Sequence, residues 1–439
     1  MKHLTAIIGL AALILAACDG DQLSSSTTSS GGDAGSTSTL STGGTGGNAG
    51  SAGNAGSAGN AGNAGSSTTS STQSALDTLL NALRADTSKA LLDQANEGGW
   101  PAKVEGGYLF VTTNLSLTKV AGDHDNWAGT NLTSDQGFLW IVIQVPNGSR
   151  YKFTNLTDWE ADPWARSYTY DDFGEMSLVS PETQHFDRFF KIGDAEMEPR
   201  TIRILVPAEA PTHVLYTHDG QNLFDPNAFF GGWKIQDSVP PAMLVVGIDN
   251  TPARMDEYTH VPDVIGGGSV GGLGDAYADF IEGTIRPLVA EHYGEPPVIG
   301  TMGSSLGGLI SLHIADRYPG KYAFAASLSG TMGWGSIGNN IHNETIIERY
   351  AAHGHQSTVL YIDSGGDGGN CGDTDADGIN DDIDQGDNYC ENEQLYNVLV
   401  SAGYQDNIDL AYVWAPGAQH NEAEWASRVN VPLSIFAGL

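Results

Sequence analysis

Positive charge is what this sequence has least of. Only 19 Lys and Arg stand against 53 Asp and Glu, a formal net charge of −34 over 439 residues. Such a surface repels phosphates, which excludes DNA and RNA as partners. From Asp363 to Glu393 there is no Lys or Arg at all. Cysteine is nearly as scarce, at Cys18, Cys371 and Cys390, so one internal pair at most can form. Long apolar runs are missing too. The stretch from Leu4 to Ala17 stands out, and it is short for a membrane-spanning helix. Residues 19–74 lack bulky apolar side chains almost entirely. They are almost wholly Gly, Ser, Thr, Ala and Asn, with a degenerate repeat, Gly-Asn-Ala-Gly-Ser-Ala. That composition cannot offset the entropy of ordering, so it predicts a flexible tether.

What is present begins at the N-terminus. Met1-Lys2-His3, an apolar run and small residues before a cleavage point make a secretory signal over residues 1–17. Leu15-Ala16-Ala17-Cys18 resembles the lipobox of bacterial lipoproteins. The resemblance implies cleavage before Cys18, a lipid on Cys18, and a cell-envelope location at the periplasmic or outer surface of a bacterial membrane. With Cys18 so used, Cys371 and Cys390 remain as a pair, expected as a disulfide in an oxidising compartment. The tether then spans 18–74, and the ordered part begins at residue 75.

Two regions follow. Residues 75–95 are expected as a helix, with Leu76, Leu79, Leu80 and Leu83 at helical spacing. Beyond Pro101, short runs such as Tyr108–Val111, Phe138–Ile143 and Tyr151–Phe153 are separated by Gly, Asn and Asp, which predicts a small β-sandwich. The segments around Val120–Trp127, Trp140, Tyr151–Phe153 and Trp159–Pro163 resemble an early-set, immunoglobulin-like domain. That resemblance places an Ig-like domain within 75–190 and raises Trp127, Trp159 and Trp164 as a sugar-stacking platform, against core packing as the plainer reading. From about Arg200 onward, apolar strands alternate with helices. This predicts an α/β fold, 191–439, with a mostly parallel sheet covered on both faces.

The chemistry centres on Gly303-Ser304-Ser305-Leu306-Gly307. It follows the apolar run from Val298 and precedes Leu309–Ala315. G-x-S-x-G between a strand and a helix exposes its serine on a strained turn above the sheet. Serine is a poor nucleophile without a base, and the base needs a carboxylate to orient it. His420, past a later strand, is the candidate base. The acid is expected in the loop that follows Thr358–Ile362, at Asp367, with Asp363 as the alternative. The oxyanion requires two N–H donors. They are expected at Leu306 and in the loop His218–Asp225, at Gln221.

Together, Tyr216–Asp225, Arg254–Tyr258, Gly303–Gly308 and His420–Trp425 resemble the putative-esterase (esterase D-like) family, which includes enterochelin, feruloyl and acetyl-xylan esterases. The resemblance covers about residues 195–439. It implies an α/β-hydrolase fold, a Ser305–His420–Asp set, an oxyanion hole from Gln221 and Leu306, and no catalytic cofactor. It also implies that Arg254 and Glu257 form a buried structural pair or contact substrate.

The departure from that family is an insertion, 368–392. Within it, Asp373, Asp375, Asp377, Asp381 and Asp384 supply oxygens at calcium-loop spacing. Gly378 sits at the sharp turn, and the Ile379 carbonyl at the seventh position. Hard oxygen ligands without His or thiolate favour Ca2+ over zinc. The sequence therefore predicts a lipid-anchored serine esterase acting on siderophore or carbohydrate-linked acyl or feruloyl esters, with structural calcium. Acyl transfer on the same scaffold and an inactive, glycan-binding lipoprotein are the competing readings.

Overall fold

The computed structural model describes residues 74–338, 341–382 and 386–439. The signal, Cys18, nearly all of the tether and Asp384 lie outside the described residues. No helix among the described residues is long and apolar enough to cross a membrane.

The leucine-spaced segment forms two helices, α1 (Ala75–Ala85) and α2 (Thr87–Glu97), instead of one. The break is Asp86, which is extended at φ −155°. Its side chain accepts from the Lys89 N–H, so it caps α2 while ending α1. Leu80, Leu83, Leu91 and Ala95 bury against Leu109, Val111 and Phe138 of a four-stranded antiparallel sheet within residues 102–143. On the same sheet Tyr108 and Phe110 point the other way. They meet Val120, Tyr151 and Phe153 of a second sheet. The alternation of 108–111 thus serves two cores at once.

That second sheet does not end at residue 190. It runs through β1 (His185–Ile192) and β2 (Arg200–Val206), which pair antiparallel, into the strands of the C-terminal region. Those strands are β3 (His213–His218), β4 (Met243–Ile248), β5 (Val298–Ser304), β6 (Phe324–Leu328), β7 (Val359–Ser364) and β8 (Leu410–Trp414). Their order is β8-β7-β6-β5-β3-β4-β2-β1, and β3 to β8 are parallel. The expected 190/191 boundary falls inside β1, so the two regions share one sheet.

Both faces of the parallel part are buried. Val214, Tyr216, Leu244 and Val246 lie in one core, Leu215, Met243 and Val245 in another. The first is covered by α3 (Gly274–Phe280), α4 (Arg286–Tyr293), α5 (Leu306–Arg317), α6 (Ile346–His353) and α7 (Tyr389–Ala402). The second is covered by α8 (Glu422–Arg428) and α9 (Asn430–Phe436). A π-turn at Ile281–Ile285 joins α3 to α4. It precedes Pro287, whose missing N–H could not continue the α-helical ladder.

The order places β3 between β4 and β5. The chain leaves β3 towards β4 and returns on its other side to β5. Loops after β3 and β5 therefore diverge at the sheet's C-terminal edge, where crevices open in such sheets.

Candidate active site

Ser305 is the first residue after β5 and the residue that caps α5. Its backbone is at φ 56°, ψ −126°, a conformation that L-residues rarely adopt. Its N–H donates to the Leu328 carbonyl at 2.9 Å, which ties the turn to β6. The flanking glycines are needed for close approach. A Cβ on Gly303 would lie 2.6 Å from the Gly307 backbone, and one on Gly308 would lie 2.2 Å from Ser327 Oγ. Leu306 opens α5, and the first N–H groups of a helix have no partner within it.

The neighbouring loop, after β3, makes a 3-10 turn at Gly220–Asn222. Gln221 sits in that turn, its side chain locked to Asn250 by donating to Asn250 Oδ1 and accepting from the Asn250 N–H. Asp219, at φ 57°, starts the turn. Arg254 grips it with two hydrogen bonds of 2.7 and 2.8 Å, and its N–H donates to Tyr258 Oη. Arg254 and Glu257 are therefore not a pair with each other. Glu257 takes two bonds of 2.8 Å from Arg200. Both ion pairs are buried, and the Arg254–Asp219 pair holds the residue that starts the turn bearing Gln221.

His420 lies in the loop between β8 and α8, half-buried. Its Nδ1 is 2.5 Å from Asp387 Oδ1. The carboxylate that faces His420 is thus Asp387, and neither Asp367 nor Asp363. Asp367 lies in the segment after β7, and among the described residues the ion pair at His420 is made by Asp387 instead. Asp363 is fully buried and committed elsewhere. It takes bonds of 2.9 and 3.0 Å from Arg428 and one from Tyr361 Oη. Burial nevertheless raises its pKa, because loss of water outweighs the guanidinium beside it. The insertion itself carries the Asp387 carboxylate back to the sheet edge.

Asp387 is held on all sides. Oδ2 accepts from Ser329 Oγ at 2.5 Å and from the Gly365 N–H at 2.8 Å. Arg428 Nη2 is 3.5 Å from the same oxygen. Trp425 packs edge-on against the His420 ring, centroids 5.0 Å apart. Sequence reasoning missed Asp387, Ser329 and Arg428. The available signal was the place of Asp387 just before Cys390.

Cys371 and Cys390 are disulfide-bonded, as expected. The bond ties a short strand at the start of the insertion to the first turn of α7. In between, one oxygen each from Asp373, Asp375 and Asp377 lies within 4.8 Å of the others. Lost solvation, with repulsion from Asp377, Asp381 and Asp373, raises the Asp375 pKa. Asp381 turns instead to the Thr374 N–H and hydroxyl. Ile379 donates its N–H to Asp377.

Of the three tryptophans, Trp127 and Trp159 adjoin each other, with ring centroids 6.0 Å apart. Trp164 packs on Phe190 in the core beneath α1 and α2. The three do not form one platform.

Comparison with known proteins adds the following. A family model described as "Putative esterase" matches residues 196–433, more than half of the chain. A curated relative, the uncharacterized protein YbbA of Bacillus subtilis (strain 168), is 31% identical over 134 residues. That stretch is 29% of this chain and 53% of YbbA, so the chain spans about half the length of that relative. Among solved structures, the chain is similar to an IroE-like serine hydrolase from Shewanella oneidensis. The TM-score is 0.44 at 17% identity, covering 57% of this chain and 80% of that one. It is similar also to the enterobactin esterase FES from Shigella flexneri, with TM-score 0.42 at 14% identity, covering 75% and 93%.

Proposed function

Because the chain belongs to the putative-esterase family, we propose that it hydrolyses carboxylic esters through Ser305, His420 and Asp387. The observation that carries this reading is the strained backbone of Ser305 at the sheet's switch point. Strain of this kind is kept where it positions a reacting atom. With Nδ1 engaged by Asp387, His420 Nε2 is the nitrogen left to accept the Ser305 proton. Ser305 Oγ then attacks the ester carbonyl, and the oxyanion is received by the N–H groups of Leu306 and Gln221. His420 passes the proton to the leaving alcohol. Water repeats the sequence in reverse and frees the acid. Asp387 orients the ring and stabilises the imidazolium.

The substrate class is read from the family resemblance: esters of a siderophore, or carbohydrate-linked acyl or feruloyl esters. The insertion is read as a structural calcium loop. The convergence of Asp373, Asp375 and Asp377 supports a hard dication there. Its chemistry would be charge neutralisation only, with no part in the reaction. Cys18 is read as the lipid-bearing residue, which would hold the enzyme at a bacterial envelope membrane. Labelled palmitate incorporated by the parent and absent from Cys18→Ala would support this; equal labelling would refute it.

The test is hydrolysis of short aryl esters by the purified protein beside Ser305→Ala. Turnover lost in the variant supports the reading and justifies a panel of siderophore and xylan-side-chain esters. Equal turnover in both would overturn it.

A further inference from the structure

We propose that Ser329 is a positioning residue that fixes the orientation of Asp387 through a hydroxyl with no freedom to turn. The inference rests on the reading of Ser305, His420 and Asp387 given above. Ser329 follows β6 and is fully buried. A hydroxyl has one proton to give and two lone pairs to receive. Here Trp425 Nε1 approaches Ser329 Oγ at 3.0 Å and Arg428 Nη2 at 2.7 Å. Indole and guanidinium N–H groups can only donate. Both lone pairs are therefore taken, and the single proton is left for Asp387 Oδ2 at 2.5 Å.

The consequence reaches His420. Asp387 Oδ2 receives Ser329 Oγ and the Gly365 N–H, so Oδ1 is the oxygen presented to the imidazole. Arg428 meanwhile gives its two bonds to a carboxylate to Asp363, and meets Asp387 only at 3.5 Å. Arg428 and Asp363 form the closer ion pair, and Asp387 Oδ1 faces His420. Trp425 serves both ends, with its N–H on Ser329 and its ring edge against His420.

The backbone argues in the same direction. Ser329 is at φ 49°, a left-handed conformation that glycine fills without strain. Its N–H donates to the Asp363 carbonyl and carboxylate, and a glycine would do the same. A turn alone gains nothing from this side chain. Its hydroxyl acts on Asp387.

The experiment uses the full chain with Ser329→Gly, Ser329→Ala, Trp425→Phe and Ser305→Ala. Ser329→Gly relieves the backbone and guards against failure to fold in Ser329→Ala. Trp425→Phe keeps the ring edge but frees one Ser329 lone pair. Four quantities are read: kcat and KM on an aryl ester, the low-field proton resonance of His420 Nδ1–H, and the melting temperature. In Ser329→Gly, kcat is expected to fall about 10- to 100-fold with KM nearly unchanged, the cost of a misplaced orienting group. The resonance is expected to move upfield, and Trp425→Phe to fall between parent and Ser329→Gly. A Ser329→Gly enzyme with kcat within about twofold of parent and an unmoved resonance overturns the proposal, whatever its melting temperature. Turnover retained in Ser305→Ala would instead overturn the underlying assignment of the site.

Discussion

Asp363 and Asp387 both take hydrogen bonds from Ser329, Asp363 from its N–H at 3.0 Å and Asp387 from its hydroxyl at 2.5 Å. The two carboxylates are neighbours with different tasks. Asp363 balances Arg428 in the interior, and Asp387 faces His420. Substitution should separate them. Asp387→Asn is expected to lower kcat by about 10³- to 10⁴-fold, because an amide can hold the wrong imidazole tautomer. Its melting temperature should change little. Asp363→Asn leaves the buried Arg428 with only the longer contact to Asp387 and should cost up to about 3–5 kcal/mol of stability. Paired kinetics and urea unfolding of the two variants check this. Asp367→Asn should resemble the parent in both.

The carboxylate facing His420 rides on a segment stapled by Cys371–Cys390. Removing both thiols as Cys371→Ser with Cys390→Ser is expected to cost about 2–4 kcal/mol of stability. Activity should fall further than stability requires, because Asp387 loses the anchor beside it. The check is kcat measured well below the melting transition of the double variant. A kcat equal to parent there would show that the bonds from Ser329 and Gly365 hold Asp387 unaided.

Chelation tests the calcium loop. Excess EDTA is expected to lower both melting temperature and kcat, with recovery on added Ca2+ but not Mg2+, whose small octahedral shell suits such a loop poorly. Asp375→Asn should weaken the calcium response, since its oxygen converges with those of Asp373 and Asp377. Unchanged activity and melting in EDTA would leave the segment as an acidic loop held by its disulfide.

Much of the scaffold was legible in the residues. The strand Phe138–Ile143 was expected with the ends observed, because its apolar run is bounded by turn residues on both sides. Ser305 was legible because strand, small residues and helix occur in one continuous segment. The break at Asp86 was hidden because leucine spacing persists across it while the capping aspartate interrupts it. Asp387 was hidden for a stronger reason. Its position depends on how an insertion folds back, which a disulfide, Ser329 and Gly365 decide in three dimensions. The pairing of Arg254 with Asp219 likewise joins separate loops, and the short spacing from Arg254 to Glu257 suggested a pair that the helical turn does not make.

Stability should also depend on acidity through His218. It is fully buried at the end of β3, with Nδ1 3.0 Å from Tyr277 Oη and Nε2 3.3 Å from Thr301 Oγ1. Loss of solvation, with Arg254 nearby, depresses its pKa from 6.5 to about 3. The unfolded chain therefore binds a proton between these values that the folded chain does not. Stability from this group is complete above pH 6.5 and is lost as pH falls towards 3, at about 1.4 kcal/mol per unit. His260, depressed to about 4, acts in the same direction. Urea unfolding at pH 7, 6, 5 and 4 should show falling stability, and His218→Gln should flatten the slope by about one proton's worth. His218 immediately precedes Asp219, which starts the turn bearing Gln221. An unaltered slope in His218→Gln would mean that the imidazole binds its proton equally in the folded and unfolded chain, and that burial does not depress its pKa.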